Sequence, residues 1–402
     1  MLLSNSKKAL TATTLYLAIS SAGFNAPCFA ADLLDNISVD LATTGRYYFN
    51  AEDKNQTVNN QFSKGIKAEA KFSHKFEHAK FNSQVFANWN DADEARRYID
   101  IRKANLYFRK NDFTFGAGVD TFFWGVSESI NVVNVMNQSD LMESLDGKVK
   151  LGQTFVSVSN RFSNGDISFY YLPEFRAITF PERPSYGLPI ADHDQYEDDK
   201  KDGGFAARGL FYYDQFEFAV SYFKGTRRSP ILMRQSPSSP LLTPYYLQTE
   251  NMMFDGVYLS EDFTLKLEAK AGKELNNGFT TANLGIEYPS YLFADYIEEV
   301  TFIAEYVFDD RKLTAETHGQ NDLFIGAKFD FGDTNQGRVR FLYSYDFDYS
   351  GQYAELSYQY RLNDYVRVKA KVMKVLTAEP TDQRLYALTG EEFAKFSLHY
   401  AF

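Results

Sequence analysis

A single cysteine, Cys28, rules out an intramolecular disulfide framework. No stretch beyond the N-terminal region approaches the roughly 18 uninterrupted apolar residues of a helical membrane span, so transmembrane helices are not expected. The five histidines, His74, His78, His193, His318 and His399, are scattered. His74 and His78 flank a predicted turn with no helix between them, which argues against a zinc site. There is no Gly-x-Ser-x-Gly elbow and no phosphate-cradling glycine loop, and no metal, nucleotide, haem or other cofactor is implied. Basic residues number 42 against 53 acidic ones, a formal charge of -11, which makes nucleic acid an unfavourable partner.

Aromatic rings are abundant by contrast, with 37 Phe and 28 Tyr against only 2 Trp. The mean hydropathy is nevertheless negative. A water-soluble fold hides most such rings in a core, whereas a membrane barrel places them on its lipid face and in two interfacial girdles around a wet interior.

The first thirty residues form a separate unit. Lys7 and Lys8 make a basic start, Ala9 to Phe24 is mostly apolar or small, and Cys28, Phe29 and Ala30 precede Ala31 and Asp32 at the spacing of a signal-peptide cleavage site. Cleavage after Ala30 is expected, and it removes the one thiol. A buried N-terminal helix is the competing reading. A lipoprotein anchored through Cys28 is disfavoured by Asn25, where an aliphatic residue belongs.

From residue 31 to 402 the pattern is period-2. Val39, Leu41, Thr43, Gly45, Tyr47 and Phe49 interleave with Ser38, Asp40, Ala42, Thr44, Arg46 and Tyr48, the first set directed to lipid and the second to water. Ile66, Ala68, Ala70 and Phe72 alternate with Lys67, Glu69 and Lys71, and Phe81, Ser83, Val85, Ala87 and Trp89 with Asn82, Gln84, Phe86 and Asn88.

Strand segments fall at 37–50, 62–76, 79–90, 97–109, 112–123, 152–162, 165–175, 204–213 and 215–224. They continue at 249–260, 262–272, 279–288, 298–308, 321–331, 337–347, 351–361, 364–375 and 391–402. The expected fold is all-β, a closed antiparallel transmembrane β-barrel of about 18 strands, or 16 if the weakest segments fail. Short links at Lys110–Asn111, Ser163–Asn164, Asp214, Glu261 and Asn363 alternate with long ones at 124–151, 176–203, 225–248, 309–320 and 376–390, as short periplasmic turns and long extracellular loops require. The link at 289–297 is longer than its side should have.

The last segment alternates Phe393, Lys395 and Ser397 with Ala394, Phe396, Leu398, Tyr400 and the terminal Phe402. An aromatic end after such a strand resembles the terminal signal read by the barrel-assembly machinery of outer membranes, so that machinery, membrane lipid and lipopolysaccharide are the expected partners.

The chain resembles the diverse porin-like barrels of Gram-negative outer membranes, and an uncharacterised subgroup of them in particular. The residues that carry the resemblance are Phe123-Trp124-Gly125-Val126-Ser127-Glu128-Ser129 and Val132-Val133-Asn134-Val135-Met136-Asn137-Gln138-Ser139-Asp140. Leu145-Asp146-Gly147, Lys150-Leu151-Gly152-Gln153, Leu172-Pro173-Glu174-Phe175-Arg176 and Phe180-Pro181 extend it. The resemblance implies an outer-membrane location and passive permeation, and a third loop that constricts the channel. It names no solute.

Loop 124–151 joins an apolar centre, Val132, Val133, Val135 and Met136, to four acids, Glu128, Asp140, Glu143 and Asp146. A loop made only for solvent has no use for that centre. One reading folds it inward as a constriction with its acids toward the pore; the other lays it on the barrel rim or adds a strand. Arg46, Lys67, Lys71, Arg102, Arg338, Arg340, Arg367, Lys369 and Lys371 all fall on the polar side of their strands, as a basic pore wall. In lipid each would cost about 2–4 kcal/mol at mid-depth. They face the loop's acids across a lumen in one reading. In the other they pair with Glu69, Asp100, Asp330 and Glu355, and the sign of selectivity stays open.

Tyr47, Phe49, Trp89, Tyr107, Phe108, Phe122, Phe123, Tyr170, Tyr171, Tyr212, Tyr213, Tyr343 and Tyr345 are assigned to girdles rather than to substrate stacking. The function expected is a channel for passive diffusion of small polar or charged solutes, not an enzyme. Its alternatives are a non-conducting binding or structural barrel, an outer-membrane hydrolase and a periplasmic or secreted all-β protein. Oligomeric state is not legible.

Overall fold

The computed structural model describes residues 36–49, 61–181, 188–234, 236, 239, 241–291, 297–332 and 334–402. The barrel opens with β1 (Ile37–Tyr48), β2 (Phe62–Lys75), β3 (Ala79–Asn90), β4 (Tyr98–Lys110) and β5 (Phe113–Asp120). After a long loop come β6 (Gln153–Phe162) and β7 (Gly165–Leu172), then β8 (Gln195–Tyr196), β9 (Gly204–Tyr213) and β10 (Phe216–Thr226). Next are β11 (Ile231–Arg234), β12 (Leu242–Tyr246), β13 (Gln248–Leu259), β14 (Thr264–Glu274) and β15 (Asn277–Ser290). The chain ends with β16 (Glu299–Asp309), β17 (Asn321–Asp330), β18 (Arg338–Asp346), β19 (Gln352–Arg361), β20 (Val366–Thr377), the short helix α1 (Gln383–Ala387) and β21 (Phe393–Ala401).

Eighteen of these strands form one antiparallel sheet, in which each pairs with its neighbour in the chain and β1 pairs with β21 to close the barrel. Closure leaves no unpaired edge. Each of the eighteen predicted segments holds one barrel strand. The three others, β8, β11 and β12, make a small sheet inside the loops. Residues 1–30, expected as a signal peptide, lie outside the described residues. Among the described residues no helix is long and apolar enough to cross a membrane.

Both ends of the barrel chain, near Asn36 and Phe402, sit at the end that carries the short turns, bonded through Val39 and Phe402. The opposite end carries the long loops. One link there is short: β14 and β15 join through Leu275 and Asn276, at φ 48° and 65°, a two-residue hairpin in the left-handed region.

The alternation sorts polarity inside out. Leu41, Ile66, Ile101, Phe115, Phe169, Leu284, Phe302, Ile325, Phe341 and Phe396 are exposed on the outer wall. On the inner face of the barrel strands Arg46, Asp100, Arg102, Ser221, Asp255, Glu268, Asn283, Glu305 and Ser344 are buried. An apolar band this extensive is a surface made for hydrocarbon, and the buried polar residues line the interior.

One irregularity re-aims a strand. Gln84 pairs with Lys103 and Val85 with Ile101, so Arg102 is an extra residue, a bulge in β4. It puts Arg102 and Lys103 on the inner side together and moves Tyr107 inward. There Tyr107 bonds Asp120 at 2.8 Å and packs near Phe155, correcting its assignment to a girdle. Phe122 and Tyr170 are also inside, 5.0 Å from Phe155 and 5.2 Å from each other respectively, instead of at the lipid boundary. Phe122 lies beyond the end of β5 and is free of its alternation. Tyr170 shares the inner parity of Ser168 and Leu172.

Candidate functional site

Residues 124–151 lie against the inner wall. Trp124, Ile130, Val132, Val133, Val135 and Met136 form a cluster with the inward side chains Phe155, Leu172, Ala206, Phe223, Met253, Val307, Phe324 and Leu342. Val133 and Met136 are fully buried. Burying a side chain of this kind is worth about 1.5–3 kcal/mol, so the apolar centre is a strong fastening.

Backbone polarity is satisfied by two wall carboxylates. Glu268 of β14 accepts from the backbone N–H groups of Val126 (2.7 Å) and Ser127 (2.8 Å) with one oxygen and of Val132 (2.7 Å) with the other. Glu305 of β16 accepts from the N–H groups of Glu128 (2.7 Å) and Ser129 (2.8 Å) and from the Ser129 hydroxyl. Between them Asn283 of β15 donates to the carbonyl of Ile130 at 2.8 Å. Gly125, at φ 112°, lets the chain turn here: a Cβ would stand 2.7 Å from both Glu268 Oε1 and the Asn131 amide.

All four predicted loop acids are ion-paired to the wall. Glu128 meets Lys328 at 3.0 Å and Lys266 at 3.3 Å. Asp140 holds Arg102 and accepts from the Tyr98 hydroxyl at 2.6 Å. Glu143 pairs with Lys67 at 2.7 Å and Asp146 with Lys371 at 2.9 Å. Burial pushes the Glu128 carboxyl up, but Lys328 and Lys266 outweigh it and hold it down to about 2. The same contest between burial and the paired lysine leaves Glu143 and Asp146 below the ordinary carboxylate range.

The wall bases also pair among wall acids: Lys71 with Glu69 at 2.6 Å, Arg338 with Asp330 at 2.5 Å and Arg340 with Glu355 at 3.1 Å. Arg102 reaches Asp100 at 3.3 Å as well, and Arg46 bonds Glu391 of the last long loop at 2.9 Å. The wall bases therefore pair directly both with loop acids and with wall acids. Arg367 is exposed on the same side, and Lys369 is half-buried. Sequence reasoning missed Lys266, Lys328, Glu268 and Glu305; their alternation marked them as inward, but nothing local tied them to a loop over 130 positions away.

The loop end is filled as well. Leu385 and Leu388, in and after α1, pack with Tyr353, Met373, Val375 and Phe393. Ala387 joins Leu188, Leu232 and Leu242. A cavity of about 160 Å³ remains among the loops, lined by Lys148, Lys150, Arg228, Arg384, Glu316 and His318, among others. Burial lowers Lys150 to about 8 against the pull of Glu316 and Asp146, and lowers His318 to about 4. Two further cavities, about 370 Å³ and 770 Å³, lie along the wall from β18 through β21 to β4.

No family model matches the chain, and no curated protein does. Among solved structures, it is similar to a Salmonella typhi OmpF in complex with daunomycin, at 11% identity over 91% of this chain and 97% of that one, with a TM-score of 0.47. A mutant of the Rh. blastica porin aligns at 15% identity over 91% and 99%, TM-score 0.43. A loop-deletion mutant of OmpT, an outer membrane protein of Vibrio cholerae, aligns at 12% over 91% and 98%, TM-score 0.43.

Proposed function

We propose that the protein is an outer-membrane channel through which small polar or charged solutes diffuse passively, narrowed by loop 124–151. The observation that carries this reading is the fastening of the loop to the inner wall by Glu268 and Glu305, with polar residues lining cavities along the wall from β18 through β21 to β4. The apolar outer wall favours a membrane, and the long-loop end is assigned to the cell surface, where lipopolysaccharide would surround it. The short-turn end, with Phe402, then faces the periplasm and the assembly machinery.

The loop acids and wall bases act in this reading as a rigid, charged narrowing that orients dipolar solutes and disfavours apolar ones. Discrete current steps from the purified protein in a planar bilayer are the expected result. A folded barrel that gives no steps would overturn the channel reading. It would instead favour a closed surface-binding barrel, for which the clusters around Leu385 and Leu242 at the loop end speak.

A further inference from the structure

One inner row of the wall is almost entirely basic. The strand register sets Lys328, Arg340, Ser357, Lys371, Lys395 and Arg46 side by side across β17, β18, β19, β20, β21 and β1. Lys395 stands directly opposite Lys371 on one side and Arg46 on the other. Like charges placed opposite each other destabilise a sheet, so such a row needs counter-charge.

Four of the five cations have it: Lys328 from Glu128, Arg340 from Glu355, Lys371 from Asp146 and Arg46 from Glu391. Lys395 makes no side-chain hydrogen bond or ion pair among the described residues. The next row toward the short turns sets Arg338, Gln359, Lys369, Ser397 and Thr44 side by side. Arg338 is paired with Asp330, and Lys369 is again without a side-chain partner among the described residues.

Lys369 and Lys395 line the same cavity of about 370 Å³, along with the hydroxyl residues Thr44, Ser357 and Ser397. Among the described residues Glu143 is the one carboxylate in its lining, and it is committed to Lys67 at 2.7 Å. Below it, the cavity of about 770 Å³ is lined by Lys71, Lys75, Lys80 and Lys103, with no carboxylate among the described residues of its lining. Lys75 and Lys80 flank the turn at 76–78, so the basic lining extends to the short-turn mouth.

We propose that Lys369 and Lys395 form a binding step for small oxyanions inside the lumen, and that the channel passes anions in preference to cations. This deepens the channel reading and rests on it for transport, though not for binding. An oxyanion such as phosphate presents several acceptors and no obligatory donor. Ammonium groups that can each give three hydrogen bonds, beside three hydroxyls, match that need. The anion also gives Lys395 the direct ion-pair partner that it lacks among the described residues. The chain's net acidity does not oppose this, because the loop acids nearest the cavity are already neutralised by wall bases.

The test uses purified full-length protein in detergent and in planar bilayers, with inorganic phosphate as probe. Binding is read by calorimetry and permeation by the reversal potential in a potassium chloride gradient and by phosphate block of chloride current. Expected are saturable phosphate binding, an anion-selective reversal potential, and at least a tenfold weaker apparent phosphate affinity in K395Q and K369Q. K110Q, at the short-turn end of β4, is the control and leaves both unchanged. Replacing Lys395 removes like-charge repulsion, so loss of fold is not the expected outcome, and gel mobility with and without heating verifies it. Phosphate binding without current steps sustains the oxyanion site and removes the channel. Current steps without phosphate binding, or with cation selectivity, keep the channel and overturn the oxyanion site.

Discussion

Glu268 on β14 accepts the backbone N–H of Val126 at 2.7 Å, across 142 positions of sequence. One wall carboxylate thereby fixes the entry of the inward loop, and its second oxygen holds Val132. A hydrogen bond to a charged group contributes about 1.5–3 kcal/mol. The E268Q and E305Q variants replace an acceptor oxygen with a donor amide in each latch. The double variant is expected to loosen the loop while keeping the barrel, read as faster proteolytic cleavage within 124–151 and noisier open-channel current. Unchanged cleavage would mean that the apolar cluster alone suffices.

Phe155 is fully buried between the wall and the loop, whereas Phe169, two strand positions from Tyr171, is 56% exposed on the outer wall. Truncating a buried Phe costs about 3–5 kcal/mol. F155A should therefore lower the temperature at which the heat-modified gel band appears, and F169A should change it little in detergent. Equal effects would contradict the assignment of inner and outer faces.

Acid should release the loop in a defined window. Glu128 is held to about 2 in the folded protein, below its ordinary value of 4.5. A depressed carboxyl contributes stability that is complete above the unfolded value and is lost as pH falls through the folded one. Conductance should then be constant from neutral pH to about 5 and change between about 4.5 and 2, with E128Q shifting or flattening that change. A transition centred near pH 7 would assign control to another group.

Leu284, at the centre of β15, is 58% exposed on the apolar band. If that band meets hydrocarbon, L284R costs about 2–4 kcal/mol and lowers the yield of folding into lipid vesicles severalfold. A water-soluble barrel would show no such loss.

Strand positions and their polarity were legible because a period of 2 repeats in every segment, from Ser38–Tyr48 to Phe393–Phe402. The bulge at Arg102 was not, because an extra residue leaves no local mark and only pairing with β3 reveals it. For that reason simple alternation puts Tyr107 on the outer face, whereas it bonds Asp120 inside. In the loop, the four acids and the apolar centre could be singled out by composition. Which wall residues receive them depends on barrel curvature and register, so Lys266, Lys328, Glu268 and Glu305 emerge only from the fold. Likewise the isolation of Lys395 follows from three strands meeting, β20, β21 and β1, the last two joined by barrel closure.

The most direct test of the account is single-channel conductance of the protein beside a variant in which 128–146 is replaced by a short Gly-Ser linker. Discrete steps are expected in the parent and larger steps in the variant, because the loop occupies part of a conducting lumen. Steps of equal size in both, or none in either from properly folded barrels, would contradict it.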